Sequence, residues 1–229
     1  GATAEIHRVR LTNTGDQNRS FQLFSLTEFC LWNAADDSTN FQRNLSLGEV
    51  EVEGRAIYHT TEYRERRNHY AVYGVTAPIQ GFDTDREAFF GLRNNWSSPE
   101  VVVEGRSRDS MASGWAPIGS HHIDITLGPG EHRDLVFVLG YVENNPDDKW
   151  ASPGVANKAK AHALLDRFST SETVDAALED LRTYWSDLLG TVTVSTGDRR
   201  VDRMINIWNP YQCMVTFNMS RSASYFESG

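Results

Sequence analysis

The 229 residues carry a formal charge of −9, with 31 acidic against 22 basic side chains. That excess argues against nucleic acid or an anionic membrane as a partner, because no surplus of cations is present to neutralise phosphates. An apolar share of 39% and an aromatic share of 11% suffice for a core; no apolar run approaches a membrane span and the first residues lack a signal-peptide pattern, so the chain reads as a cytoplasmic protein with a neutral ligand.

Val9 and Leu11 alternate with Arg8, Arg10 and Thr12, the period of a half-buried strand. Asn13-Thr14-Gly15-Asp16 is a turn signal. Next, Phe21, Leu23 and Phe29 occupy one parity and Phe24, Leu26 and Cys30 the other. A strand apolar on both faces has to be covered on both, which predicts a central strand of a large sandwich. After Trp32 the chain turns small, polar and acidic, and Phe41-Gln42-Arg43-Asn44 sets a ring beside two amides and a guanidinium. Such groups suit a sugar: the ring stacks on a pyranose face and the planar donors bind hydroxyls. A plain polar surface loop has the same composition, which alone does not choose between the two.

Alternation resumes at residues 49–53 with Gly54 as the turn, and further strands are predicted at residues 55–60, 70–76, 88–92 and 101–104. The charged run at residues 62–69 reads as a solvated face, with a salt-bridged subunit contact as its functional alternative. Ile123, Ile125 and Leu127 alternate with His122, Asp124 and Thr126; Pro129-Gly130 makes a turn, and residues 134–142 return as an apolar strand, so a hairpin is expected. About nine short strands without a long helix argue for an antiparallel sandwich.

At residues 143–148 the composition becomes acidic and proline-containing, which marks a domain boundary. Beyond it the period is helical. One helix is expected at residues 157–168. Ser169-Thr170-Ser171-Glu172 has capping-box spacing, and Val174, Ala177, Leu178, Leu181, Trp185 and Leu188 form a stripe ending at Gly190. A third helix starts near Asp198, and Pro210 predicts a kink at residues 206–209.

Cys30 and Cys213 read as buried thiols rather than a disulfide. None of the seven histidines sits at a metal-ligand spacing, and His121 and His122, adjacent in a strand, point to opposite faces. Asp36, Asp37 and Glu28 are the carboxylates near the polar stretch, and none is assigned as a general acid.

Five further runs stand out: Tyr63-Arg64-Glu65-Arg66-Arg67, Ala112-Ser113-Gly114-Trp115, Val138-Leu139-Gly140-Tyr141, Asn206-Ile207-Trp208-Asn209 and residues 211–224, of which the last is long and idiosyncratic. With residues 24–43 they resemble the cellobiose phosphorylase family, glycoside hydrolase family ninety-four. The resemblance extends along most of the chain. It implies an internal fragment that is mainly β with α: an incomplete antiparallel super-sandwich at residues 1–145, a helical linker at 146–195 and the first helix of an (α/α)6 catalytic barrel at 196–229. It implies an inverting phosphorolysis of cellobiose to α-glucose 1-phosphate and glucose, with inorganic phosphate as co-substrate and no cofactor or metal. It implies a homodimer in which Asn40, Gln42 and Arg43 reach the acceptor side of the neighbouring subunit's site, the catalytic acid falling beyond Gly229. A noncatalytic carbohydrate-binding sandwich, or a family member acting on cellodextrin, chitobiose or laminaribiose, are the alternatives.

Overall fold

The computed structural model describes residues 2–29, 48–61, 68–112 and 117–220. The chain divides into two compact units, Gly1–Val174 and Asp175–Gly229.

The first unit is a β-sandwich, mainly antiparallel as expected. One sheet has the order β1-β9-β6-β5-β4, built from β1 (Ala4–Thr12), β4 (Gly48–Glu53), β5 (Ala56–Thr61), β6 (His69–Val75) and β9 (His132–Glu143). The other is centred on β8 (Pro117–Leu127). Along one edge of β8 run β2 (Arg19–Phe24) and β3 (Thr27–Glu28), end to end, and β7 (Gly81–Asp85) pairs with its other edge. The two sheets close on Phe29, Ile57, Tyr73, Ile123, Leu135 and Phe137.

Residues 21–29 are therefore not the central strand; among the described residues they pair with β8 alone. Their two apolar parities are nonetheless both used. Leu23 and Phe29 face the inter-sheet core, whereas Phe24 and Leu26 pack with Ile118 of β8 on Phe89, Phe90 and Val101 of an outer layer. That outer layer is helical: α1 (Arg86–Phe90) and α2 (Glu100–Glu104) stand where strands were expected. Asp85 caps α1 by accepting from the Ala88 N–H, and Gly91 and Gly105 end the two helices at positive φ. Of the three consecutive valines in α2 only Val101 is buried, the signature of a helical face.

The expected hairpin is also overturned. β8 and β9 belong to opposite sheets, because β9 already has β1 and β6 as neighbours and β8 has β2 and β7. The 128–131 turn crosses between sheets, as does the connection from β1 to β2. Asn13 ties both corners together. Its buried amide donates to the carbonyls of Gln17, Leu127 and Gly128, while its backbone exchanges bonds with Glu131 and Gly130.

On the free face of the five-stranded sheet lies α3 (Ala159–Arg167), packing Ala161, Leu164 and Leu165 on Tyr58, Tyr70 and Val72. Close approach needs two glycines: a Cβ on Gly74 would meet Leu165 at 2.7 Å, and one on Gly140 would meet Leu164 at 2.5 Å. Lys158 fastens the start of α3, 2.5 Å from Glu51 and 5.0 Å from the centre of the Tyr58 ring.

α4 (Ser171–Gly190) crosses from the first unit into the second. Its cap is Thr170, not Ser169: Thr170 Oγ1 accepts from the Thr173 N–H, one residue later than the capping-box spacing predicted. In the second unit Asp198 accepts from the Arg200 N–H at the start of α5 (Arg199–Arg203). A π-helical turn, Met204–Trp208, then leads into α6 (Asn209–Ser220). The wide turn is the local answer to Pro210, which has no N–H to give and whose ring crowds the carbonyl four residues earlier. Asn206 clasps the 191–195 link by accepting from the Val194 N–H and donating to its carbonyl, each at 2.8 Å. Cys213 is exposed, contrary to the buried thiol expected.

Candidate functional site

Asn40, Gln42 and Arg43 lie outside the described residues, as do Cys30, Asp36, Asp37, the 62–67 run and Ser113-Gly114-Trp115. What is described is the frame that carries them. The strand pairings set Glu28 across from Ile118, Gly48 across from Thr61, His69 across from Glu143 and Asp85 across from Pro117. The 128–131 turn and the Asn13 corner join the strands at their other ends. Residues 30–47, 62–67 and 113–116 therefore all leave from one end of the sandwich.

Each of the three is rooted on buried or bonded groups. Before residue 30, Phe29 is buried and stacks on His59, ring centres 5.0 Å apart, and His59 is the cross-strand partner of Val50 on β4, just past residue 47. Both feet of the 30–47 segment thus share one core. Glu28 pairs with Arg86 at 2.8 Å, and the Arg86 guanidinium lies 4.7 Å from the centre of the Phe90 ring. Phe90 in turn meets the exposed indole of Trp96 edge-on at 4.9 Å. Glu28 is accordingly an ion-pair partner at the loop root.

At the 62–67 root, Asn68 Nδ2 donates to the Asn144 carbonyl and the Asn144 N–H to that of Asn68, at 2.9 and 2.8 Å. Beside them His69 Nδ1 bonds the Tyr141 hydroxyl, and its Nε2 lies 3.5 Å from Glu143. The 113–116 root hangs on Asp83. This fully buried carboxylate accepts from the Arg108 N–H and from the N–H and hydroxyl of Ser110. Burial pushes its pKa up even though Ser110 and Arg108 oppose the shift. Thr84 then accepts from the Ala112 N–H at 2.8 Å.

The two adjacent histidines do face opposite ways. His121 lies in the inter-sheet core, 4.8 Å from the Tyr73 ring, with Ser25 Oγ 3.3 Å from its Nδ1; burial lowers its pKa to about 4. His122 stacks on Phe24 at 4.4 Å on the outer side. Among the described residues no group of three His, Cys, Asp or Glu side chains is placed to hold a metal ion, and no helix is long and apolar enough to cross a membrane. Sequence reasoning missed the Glu28–Arg86 pair and Asp83. The signal was present in Asp85 and Gly91, a cap and a stop bracketing Arg86.

A two-sheet sandwich with helices on both outer faces, joined to a helical unit, is the architecture of a supersandwich domain leading into an α-helical one. Residues 1–171 match the Glycosyl hydrolase 94 supersandwich domain and residues 184–229 match the Glycosyl hydrolase 94 superfamily catalytic domain. The chain belongs to the glycosyl hydrolase 94 family. It is 28% identical to an N,N'-diacetylchitobiose phosphorylase of Vibrio proteolyticus, over 100% of this chain and 27% of that protein. It is 29% identical to a 3-O-beta-D-glucopyranosyl-beta-D-glucuronide phosphorylase of Paenibacillus borealis, over 96% of this chain and 27% of that one. It is 27% identical to the cyclic beta-(1,2)-glucan synthase NdvB of Rhizobium meliloti, over 99% of this chain and 7% of the synthase. The chain thus spans about a quarter of the length of the phosphorylases it matches.

Proposed function

We propose that this chain is part of an inverting disaccharide phosphorylase and supplies an acceptor-side loop to the neighbouring subunit of a homodimer. In that reaction a phosphate oxygen attacks the anomeric carbon with inversion. The glycosidic bond breaks, and a carboxylic acid outside residues 1–229 gives its proton to the departing oxygen. Phosphate is already anionic, so no general base is needed. On this reading Arg43, Gln42 and Asn40 bind the sugar that leaves, the guanidinium as a fork of donors and the amides as paired donor and acceptor.

The observation that carries the reading is the match of residues 1–171 and 184–229 to the supersandwich and catalytic domains of one family. The shared core under both feet of the 30–47 segment supports it, since a sugar-binding loop needs a rigid root. Cellobiose is the substrate we favour, giving α-D-glucose 1-phosphate and D-glucose. The second reading is N,N'-diacetylchitobiose, because two Vibrio phosphorylases named for it align with all of this chain. Phosphorolysis by the full-length protein across a panel of disaccharides decides between them. Arg43→Ala is expected to weaken acceptor use by about 2–5 kcal/mol in transition-state terms if the guanidinium is buried against the sugar. Unaltered acceptor kinetics in that variant would remove the loop from the site.

A further inference from the structure

At the other end of the sandwich from the three roots, the outer face of the five-stranded sheet and α3 leave a crevice of about 520 Å³. That volume lies within the roughly 300–1,000 Å³ typical of small-molecule sites. Its floor includes Val136 and Val138, and its rim carries Glu53, Arg55, His162 and Asp166. The rim groups are held in place. His162 Nε2 lies 3.4 Å from Glu53 Oε1, and the imidazole meets the buried Tyr58 ring edge-on at 6.4 Å. Arg55 donates to the Thr76 carbonyl, and Lys158 Nζ lies 3.5 Å from Glu53 Oε2. Glu53 and His162 are each about half exposed, so their remaining hydrogen-bonding capacity is open to a ligand.

The charges select the ligand class. The two carboxylates are balanced by the Arg55 guanidinium and by Lys158 beside Glu53, so the opening carries little net charge and favours an uncharged ligand over a phosphate, a sugar phosphate or a uronate. A simple amine would compete with Arg55 and Lys158 for the carboxylates and offer nothing to the half-buried Leu165 on the wall. An uncharged saccharide meets both demands: its hydroxyls donate to the carboxylates and accept from guanidinium and imidazole, and its C–H face covers the exposed part of Leu165. We propose that this crevice is a second saccharide site, taking one or two neutral sugar units and separate from the acceptor loop.

A photoreactive diazirine derivative of cellobiose, applied to the full-length protein with and without excess free cellobiose, tests it. Mass spectrometry is expected to place competed label on peptides containing residues 53–58 or 159–169. Glu53→Gln with Asp166→Asn should cut that label by about tenfold or more, the loss of one or two charge-assisted hydrogen bonds, and so should His162→Ala. The label should persist in Arg43→Ala, which separates this site from the acceptor loop: unaltered phosphorolysis in Arg43→Ala with crevice labelling intact would sink the loop reading alone. Absence of label from both peptides, or label indifferent to both sets of variants, would overturn the second site.

Discussion

The sandwich unit and the helical unit treat their apolar residues in opposite ways. In the sandwich, Ile57, Val72, Ile123 and Leu135 are sealed, and among the polar groups buried there Asn13, Asp83 and Asn144 are hydrogen-bonded. Along α4 and beyond it, Leu181, Tyr184, Leu188, Met204, Ile207 and Trp208 are half-exposed or more, and no residue of α4 or α5 is buried. Periodicity alone therefore does not make a core. A helix with a stripe but no cover depends on something else to stay ordered, whereas the sandwich closes on its own two sheets.

The contrast breaks first at the core. Ile57→Ala should destabilise the sandwich unit by about 2–5 kcal/mol, whereas Leu181→Ala in the 229-residue chain should change stability by less than about 0.5 kcal/mol. Urea unfolding followed separately by core-tyrosine and helix signals measures both, and equal costs would erase the distinction. Next comes pH. His121 stays neutral in the sandwich down to about 4 but in the unfolded chain takes up its proton near its ordinary value of 6.5. The unfolded state therefore binds more protons between those values, and stability falls as pH drops through that window, by about 3 kcal/mol in all. His121→Gln should flatten the melting curve's pH dependence in that range. Gly74→Ala follows, at about 1–3 kcal/mol, because its Cβ has to displace Leu165 of α3. Thr170→Ala comes last, at about 1 kcal/mol and above the near-zero cost expected of Leu181→Ala, read as fraying of the first turn of α4 by hydrogen exchange.

Much of the sandwich was legible because period two survives in β1, β4 and the end of β8, where one face is wet. Where valines stand three in a row, as at residues 101–103, β propensity outweighed the Gly105 stop and a helix was read as a strand. The hairpin at Pro129-Gly130 failed for another reason. A short turn looks the same whether the chain returns to its own sheet or crosses to the facing one, and only the neighbours already held by β9 decide. The π-turn before Pro210 was half legible: the missing N–H announces a break but not how it is absorbed. As for the site, the sugar-suited chemistry of Phe41, Gln42 and Arg43 is visible in composition. The pinning of its feet is not, because Phe29, His59, Glu28 and Arg86 meet only through tertiary packing. Asp83 looks like any strand-end aspartate until its burial is seen.

The claim that an arm of one protomer completes the other's pocket is tested most directly by mixing two full-length variants. One carries Arg43→Ala with its catalytic acid intact, and the other keeps Arg43 but has lost that acid. If the loop acts across the dimer, subunit exchange creates one whole site per hybrid, and phosphorolysis in the mixture rises well above that of either parent. If the mixture stays no faster than the better parent after exchange is complete, Arg43 serves its own protomer or none, and the account is contradicted.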